Sequence, residues 1–208
     1  MLAAEEIEAA LSAGYELRGL ELKAGGPRTD ARLFAKVSRA ALSMGNLRDG
    51  GHVIIGVDDA NPSAMLPGLK ADDLALWLAY DDVARKLAEY ADPPLRFDVA
   101  ARDLSSGVTV AVIRVFEFSD TPHLCAKDYP EVVRKGALYV RPRKVPETSE
   151  VASLVEMRDV IQLATEKALR AYVETVERAG LALAASSNEP QAPPDDERYE
   201  AERERSWS

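Results

Sequence analysis

Apolar residues recur at helical spacing in four stretches and alternate or run continuously in several shorter ones, and this division predicts the elements. Residues 3–13 favour a helix that stops at Gly14. Over residues 17–23, Leu20 and Leu22 alternate with Glu21 and Lys23, which predicts a strand, and Gly25-Gly26-Pro27 closes it as a turn. Thr29 or Asp30 suits the cap of the next helix, whose apolar stripe is Leu33, Phe34, Val37, Ala40, Ala41 and Met44. A loop over 46–51 leads into residues 52–57, a short apolar run of the kind a buried strand shows. Residues 72–90 repeat with a helical period, Leu74, Leu78, Val83 and Leu87 being the inward candidates, until Asp92-Pro93-Pro94 stops them. Strands are expected at 95–101 and 108–118, joined by a turn at Ser105-Ser106-Gly107.

Further along, 132–141 reads as a small hairpin turning near Lys135-Gly136, and 149–185 as a long helix. Residues 186–208 are rich in Pro, Ser, Asp, Glu and Arg and lack the apolar groups that offset ordering entropy, so a disordered acidic tail is expected. The predicted fold class is α+β, a mixed sheet packed with helices. The expected divisions are a domain over 1–163, a helical extension over 164–185 and the tail over 186–208.

Composition narrows the chemistry. At 208 residues, 47% hydrophobic and 29% charged, the chain has the profile of one soluble domain. No apolar run reaches the roughly 20 residues of a membrane helix. The amino terminus carries no basic stretch ahead of an apolar one, so a cytoplasmic protein is expected, with no membrane partner. Cys125 is the only cysteine, and His52 and His123 are the only histidines. That excludes an internal disulfide and a multi-cysteine zinc site, and leaves a hard cation held by oxygens as the metal to expect, if any. The net charge of −9 argues against indiscriminate nucleic-acid binding, but the stretch from Arg134 to Lys144 is basic, and local charge decides where a ligand sits.

Two charged constellations stand out. Glu16, Glu21 and either Asp58 or Asp59 can meet at one end of a sheet with Lys23 nearby. Carboxylates on separate elements can hold Mg²⁺ or Mn²⁺ for phosphodiester cleavage, with a lysine neutralising a phosphate oxygen. The same residues can equally form ion pairs at a sheet edge, a common fate of such groups. Strand alternation puts Glu21 and Lys23 on one face, whereas Glu16, five residues before Glu21, needs a bend at Gly19 to join them. The second constellation is Arg134, Lys135, Arg141, Arg143 and Lys144, with Lys127 nearby and Tyr139 among them. On a hairpin, Arg141 and Arg143 would contact successive phosphates while Tyr139 stacks on a base or ribose. The alternative is a solvated basic hairpin with Tyr139 packed inward. Gly50-Gly51 is not followed by Gly-Lys-Ser/Thr, so a nucleotide-binding phosphate loop is not expected.

Glu16, the Glu21-Leu22-Lys23 strand, Asn46, Gly50-Gly51, Gly56-Val57-Asp58-Asp59, Gly68 and Lys135-Gly136-Ala137-Leu138-Tyr139-Val140-Arg141 follow one another in an order that resembles the Schlafen AlbA_2 family, also called divergent AAA-4. The resemblance covers residues 13–163. It implies an Alba-like α+β domain that binds DNA or RNA, as a bacterial regulator or accessory factor. Some animal members are metal-dependent endoribonucleases acting on structured RNA such as tRNA. By that match the catalytic and metal-binding carboxylates would be Glu16, Glu21 and Asp59, with Lys23 assisting and Mg or Mn as cofactor. Two features depart from the family pattern. The loop from Asn46 to Gly50 is one residue longer, with Gly45 in place of the usual alanine. The animal nucleases also clamp RNA between two lobes, and this chain has one. The stripe Ile161, Ala164, Ala168, Tyr172, Val176 and Ala179 offers the long helix as a homodimer contact, and a protein-interaction module is the remaining alternative.

Overall fold

The computed structural model describes residues 1–13, 17–57, 67–142 and 147–180. Glu16, Asp58, Asp59, Arg143, Lys144 and the expected tail lie outside the described residues. Met1–Leu169 and Arg170–Ser208 form two compact units.

The first unit is α+β. Its elements are α1 (Ala4–Ala13), β1 (Leu20–Lys23), α2 (Ala31–Gly45), β2 (Gly51–Ile55), α3 (Ala71–Leu78), α4 (Tyr80–Ala88), β3 (Ala91–Asp92), β4 (Phe97–Asp103), β5 (Thr109–Val115), β6 (Leu124–Cys125), β7 (Tyr139–Val140), β8 (Ser149–Glu150) and the start of α5 (Leu154–Arg178). A mixed four-stranded sheet runs in the order β1-β2-β5-β4, while β3 pairs β6 and β7 pairs β8. β1 and β2 are parallel with Glu21 opposite Val53, as a crossover through α2 requires; β2, β5 and β4 are antiparallel. β1 is therefore an edge.

Alternation along the strands builds two cores. Leu20 and Leu22 join Ile54, Val110 and Val112 under Ile7 and Leu11 of α1. Val53, Ile55, Ala111, Ile113 and Val115 face α2, whose Phe34, Val37, Ala41 and Met44 recur at helical spacing. Glu21 and Lys23 thus point toward the α2 side. Asp30 caps α2, accepting from the N–H groups of Arg32 and Leu33 at 2.9 and 3.0 Å. Among the described residues no helix is long and apolar enough to cross a membrane.

Three expectations require correction. The helix over 72–90 is two helices broken at Ala79, whose ψ of 82° leaves the helical region. A continuous helix would set Val83 about 120° around the axis from Trp77. The break lets both reach the core, Trp77 stacking on Phe34 at 5.7 Å and donating its Nε1–H to Gly26 O at 2.9 Å. The long helix begins at Leu154 rather than 149, because Ser149 and Glu150 pair with β7.

The hairpin over 132–141 does not form. Its first arm bridges back to Tyr129 through Val133, and the Gly136 N–H donates to Cys125 O at 2.7 Å. Tyr139 and Val140 pair instead with β8. Burial of Val132, Val133, Ala137 and Tyr139 in the main core drives this arrangement. On α5, Val160 and Leu163 are buried while Leu154, Val155 and Ile161 are exposed. In the second unit the helix continues to Arg178, with Thr175 Oγ1 donating to Ala171 O at 2.7 Å.

His52 sits in β2 with only 7% of its surface exposed. Burial, then the neighbouring Arg114 and amino terminus, push its pKa from 6.5 down to about 4, with Glu6 opposing. Below pH 6.5 the unfolded chain takes up a proton that the folded chain refuses until about pH 4, so acid destabilises the fold across that window, by at most about 1.4 kcal/mol per pH unit. Urea titrations at pH 7 and 5 are expected to show the parent losing about 1–2 kcal/mol more than His52→Gln. Equal losses would show that His52 does not titrate in this way.

Candidate nucleic-acid interface

The Glu21 carboxylate is held between two cations. Lys23 Nζ donates to Oε1 at 2.5 Å and to Leu22 O at 2.9 Å, and Arg141 Nη1 donates to Oε2. Arg141 is 1% exposed and Glu21 7%. The second terminal nitrogen of the Arg141 guanidinium, Nη2, donates to Leu20 O at 2.9 Å and to Leu17 O at 3.3 Å. One side chain thus neutralises the buried carboxylate and covers the Leu20 carbonyl on the open edge of β1, a group that would otherwise invite another strand. Arg18 Nε returns the contact, donating to Arg141 O at 2.9 Å. Thr148 closes the far side: its carbonyl accepts from Arg39 Nη2 at 2.7 Å, and its hydroxyl lies 2.9 Å from that of Ser43.

This geometry constrains the metal expectation. Of the proposed donors Glu16, Glu21 and Asp59, only Glu21 is described, and both of its oxygens are engaged by cations. A divalent ion there would have to displace Lys23 or Arg141. Among the described residues no group of three or more His, Cys, Asp and Glu side chains could hold a metal. The described donor does not fit a metal site.

The basic segment also differs from expectation. Tyr139 and Arg141 do not present themselves to a nucleic acid: both face inward because β7 lies against α2, with Arg39 over the Tyr139 ring at 5.5 Å. Burial raises the Tyr139 pKa, and its hydroxyl accepts from the Arg134 N–H at 2.8 Å. The Arg134 side chain is paired with Glu150. Lys135 is exposed, its backbone N–H donating to Asp128 at 2.8 Å.

Described residues next to Glu16, Asp58 and Arg143 contact β1 or the residues leading into it, at its two ends. Leu17, which follows Glu16, accepts from Arg141, and Arg141-Pro142 precede Arg143 and Lys144. Gly56 and Val57, which precede Asp58, both donate their N–H groups to Lys23 O, at 2.9 and 3.1 Å. A groove of about 590 Å³ opens beside Arg18 and Arg141, lined among others by Arg48, Val140, Pro142, Glu156 and Asp159. Sequence reading missed Arg18, Arg39 and Thr148. The Arg18-Gly19 step into the strand was the available signal for the first; nothing local marks the other two.

No family model matches the chain, and no curated protein does. Among solved structures it is similar to the DIP2311 protein of Corynebacterium diphtheriae, at 16% identity and a TM-score of 0.47, over 71% of this chain and 29% of that one. The chain therefore spans about three tenths of that protein's length.

Proposed function

We propose that this chain is a cytoplasmic nucleic-acid-binding protein of the Schlafen AlbA_2 type, and that it meets phosphates along the β1 edge. The supporting observation is that described residues next to Glu16, Asp58 and Arg143 all contact β1 or its approach, Leu17 and Arg141 at its start and Gly56 and Val57 at its end. Lys23 and Arg141 hold Glu21 there, Arg18 contacts the Arg141 carbonyl, and after Pro142 the sequence continues into two further cations. Arg141 acts here as a scaffold, and the phosphate contacts fall to Arg143, Lys144 and the exposed Lys135. Binding of this kind is electrostatic and read first as a salt dependence.

The test is a mobility shift with single-stranded RNA, tRNA and duplex DNA. Three phosphate contacts to duplex DNA predict roughly 40-fold weaker binding on raising salt from about 50 to 200 mM. Arg143→Ala/Lys144→Ala is expected to weaken all three ligands about tenfold. Absence of binding to every ligand at the lower salt would overturn the proposal. Mn²⁺-dependent cleavage of tRNA that Glu21→Gln abolishes would replace it with the nuclease reading.

A further inference from the structure

A second cationic site lies where β2 begins and β5 ends. Arg114 and Phe116 have the same parity along the β5 run, and Arg96 O accepts from the Phe116 N–H at 2.9 Å, so Arg96, Arg114 and Phe116 are neighbours. Both guanidiniums sit over the Phe116 ring, at 5.5 and 5.6 Å from its centroid. With Asp49, Glu117, Ser119 and Lys167 they line an open cleft of about 310 Å³.

Neither Arg96 nor Arg114 has a carboxylate partner among the described residues. Arg96 reaches only the Ser119 hydroxyl, at 3.3 Å. Arg114 donates to Asp49 O at 2.9 Å and lies 3.4 Å from His52 Nε2. Elsewhere Arg32 pairs with Glu131, Arg48 with Glu166, Arg85 with Asp82 and Arg134 with Glu150; the exposed Arg158, Arg170 and Arg178 of α5 have no carboxylate partner among the described residues either, but none of them shares an aromatic ring with a second arginine. In a chain of net charge −9, carboxylates are abundant, so two adjacent guanidiniums left without one mark a place where the counter-charge comes from outside.

Asp98 stands opposite Arg114 in the β4–β5 register but makes no ion pair with it, and Glu117, which lines the cleft, is already committed. Glu117 accepts from Lys167 Nζ at 2.6 Å and from the Asp49 N–H at 2.8 Å. Burial works against its charge, but these two donors and Arg48 outweigh it and hold its pKa below the ordinary value. The backbone is shaped to suit: Asp49 and Gly50 take φ of 67° and 69°, which turns the Asp49 carbonyl onto Arg114 and its N–H onto Glu117. The Asp49 carboxylate also borders the cleft and limits how tightly an anion can be held.

We propose that this cleft binds a phosphate ester, whose oxygens accept from the Arg96 and Arg114 guanidiniums and from the Ser119 hydroxyl. Planar guanidiniums offer paired donors that match phosphate oxygens, and the Phe116 ring keeps both of them aligned. The phosphate comes either from a mononucleotide or from a nucleic-acid backbone. The proposal does not depend on the β1 edge and stands or falls separately from it.

Inorganic phosphate, adenosine monophosphate and a dinucleoside monophosphate are titrated into the full chain at constant ionic strength, following the arginine side-chain N–H resonances by NMR. The Arg96 and Arg114 Nε signals are expected to shift together, with dissociation constants on the order of 1 mM. Arg96→Gln/Arg114→Gln is expected to weaken binding roughly tenfold, whereas Arg32→Gln/Arg85→Gln, with the same change in net charge, changes it less than about twofold. Thermal melts of both double variants confirm folding. Binding confined to the monoesters assigns the site to mononucleotides, and comparable binding of the diester assigns it to a backbone. Unmoved arginine signals at about 20 mM of every ligand, or equal weakening in the two double variants, overturn the proposal.

Discussion

Replacing Arg141 with alanine is expected to lower the free energy of unfolding by about 3–5 kcal/mol, the usual effect of removing one partner from a buried ion pair. The guanidinium lies 1% exposed against a carboxylate that is 7% exposed, so its loss leaves Glu21 charged in the interior with Lys23 as its described cation. Leu20 O loses its donor in the same step, Leu17 O keeps only the Leu20 N–H, and the edge of β1 opens. The double variant Glu21→Met/Arg141→Met separates the pair from its desolvation cost. With both charges replaced by apolar groups of similar size, it is expected to recover most of the loss, while Arg141→Met alone does not. Urea unfolding followed by circular dichroism measures all three. A loss below about 1 kcal/mol for Arg141→Ala would mean that Glu21 is solvated or otherwise neutralised, and the scaffold role given to Arg141 would fail.

That outcome also bears on the carboxylates. A glutamate in the middle of an edge strand, neutralised from both sides, has a sufficient reason to be there without any reaction. A metal-ligand role would require the same oxygens to release a cation whose removal costs the fold several kcal/mol. Binding without cleavage demands less of the site than cleavage does.

The sheet face of Glu21 and Lys23 could be read from the sequence because a strand's period of two depends on nothing but the chain itself. The same holds for α2, where the apolar stripe and Asp30 are local signals. Arg141 was misread for the opposite reason. Its run of Arg and Lys neighbours suggests solvent, and only a partner 120 residues away in sequence explains its burial. The break at Ala79 carries neither glycine nor proline; it arises from the demand that Trp77, Val83 and Leu87 all face one core. Arg96 and Arg114 are separated by a strand turn and look like scattered surface charges until the β4–β5 register sets them around Phe116. Gly45, noted in sequence only as a departure, acquires a cause: a Cβ there would lie 2.6 Å from His123 Cδ2 and 2.7 Å from Leu95 Cδ2.

The residue next to it is expected to show the second large effect. Asn46 is 5% exposed at the end of α2, and its amide joins two distant segments. Nδ2 donates to His123 O at 2.9 Å and to Tyr139 O at 3.0 Å, and Oδ1 accepts from the His123 N–H at 2.8 Å. Asn46→Ala leaves these three buried backbone groups without that partner and is expected to cost about 3 kcal/mol. Asn46→Asp, nearly identical in shape, distinguishes hydrogen bonding from packing. It keeps the acceptor for His123 but turns a carboxylate oxygen toward two carbonyls, so it is expected to be at least as destabilising as alanine near neutral pH. As pH falls, its carboxyl gains one O–H and can satisfy one of the two carbonyls, so the gap to the parent should narrow. An Asp variant within about 1 kcal/mol of the parent at pH 7 would show that the amide is not what ties β7 to α2. Because β7 runs directly into Arg141, loosening this tie should also weaken the Arg141–Glu21 pair, and a double-mutant cycle between Asn46→Ala and Arg141→Ala is expected to be non-additive by about 0.5–3 kcal/mol.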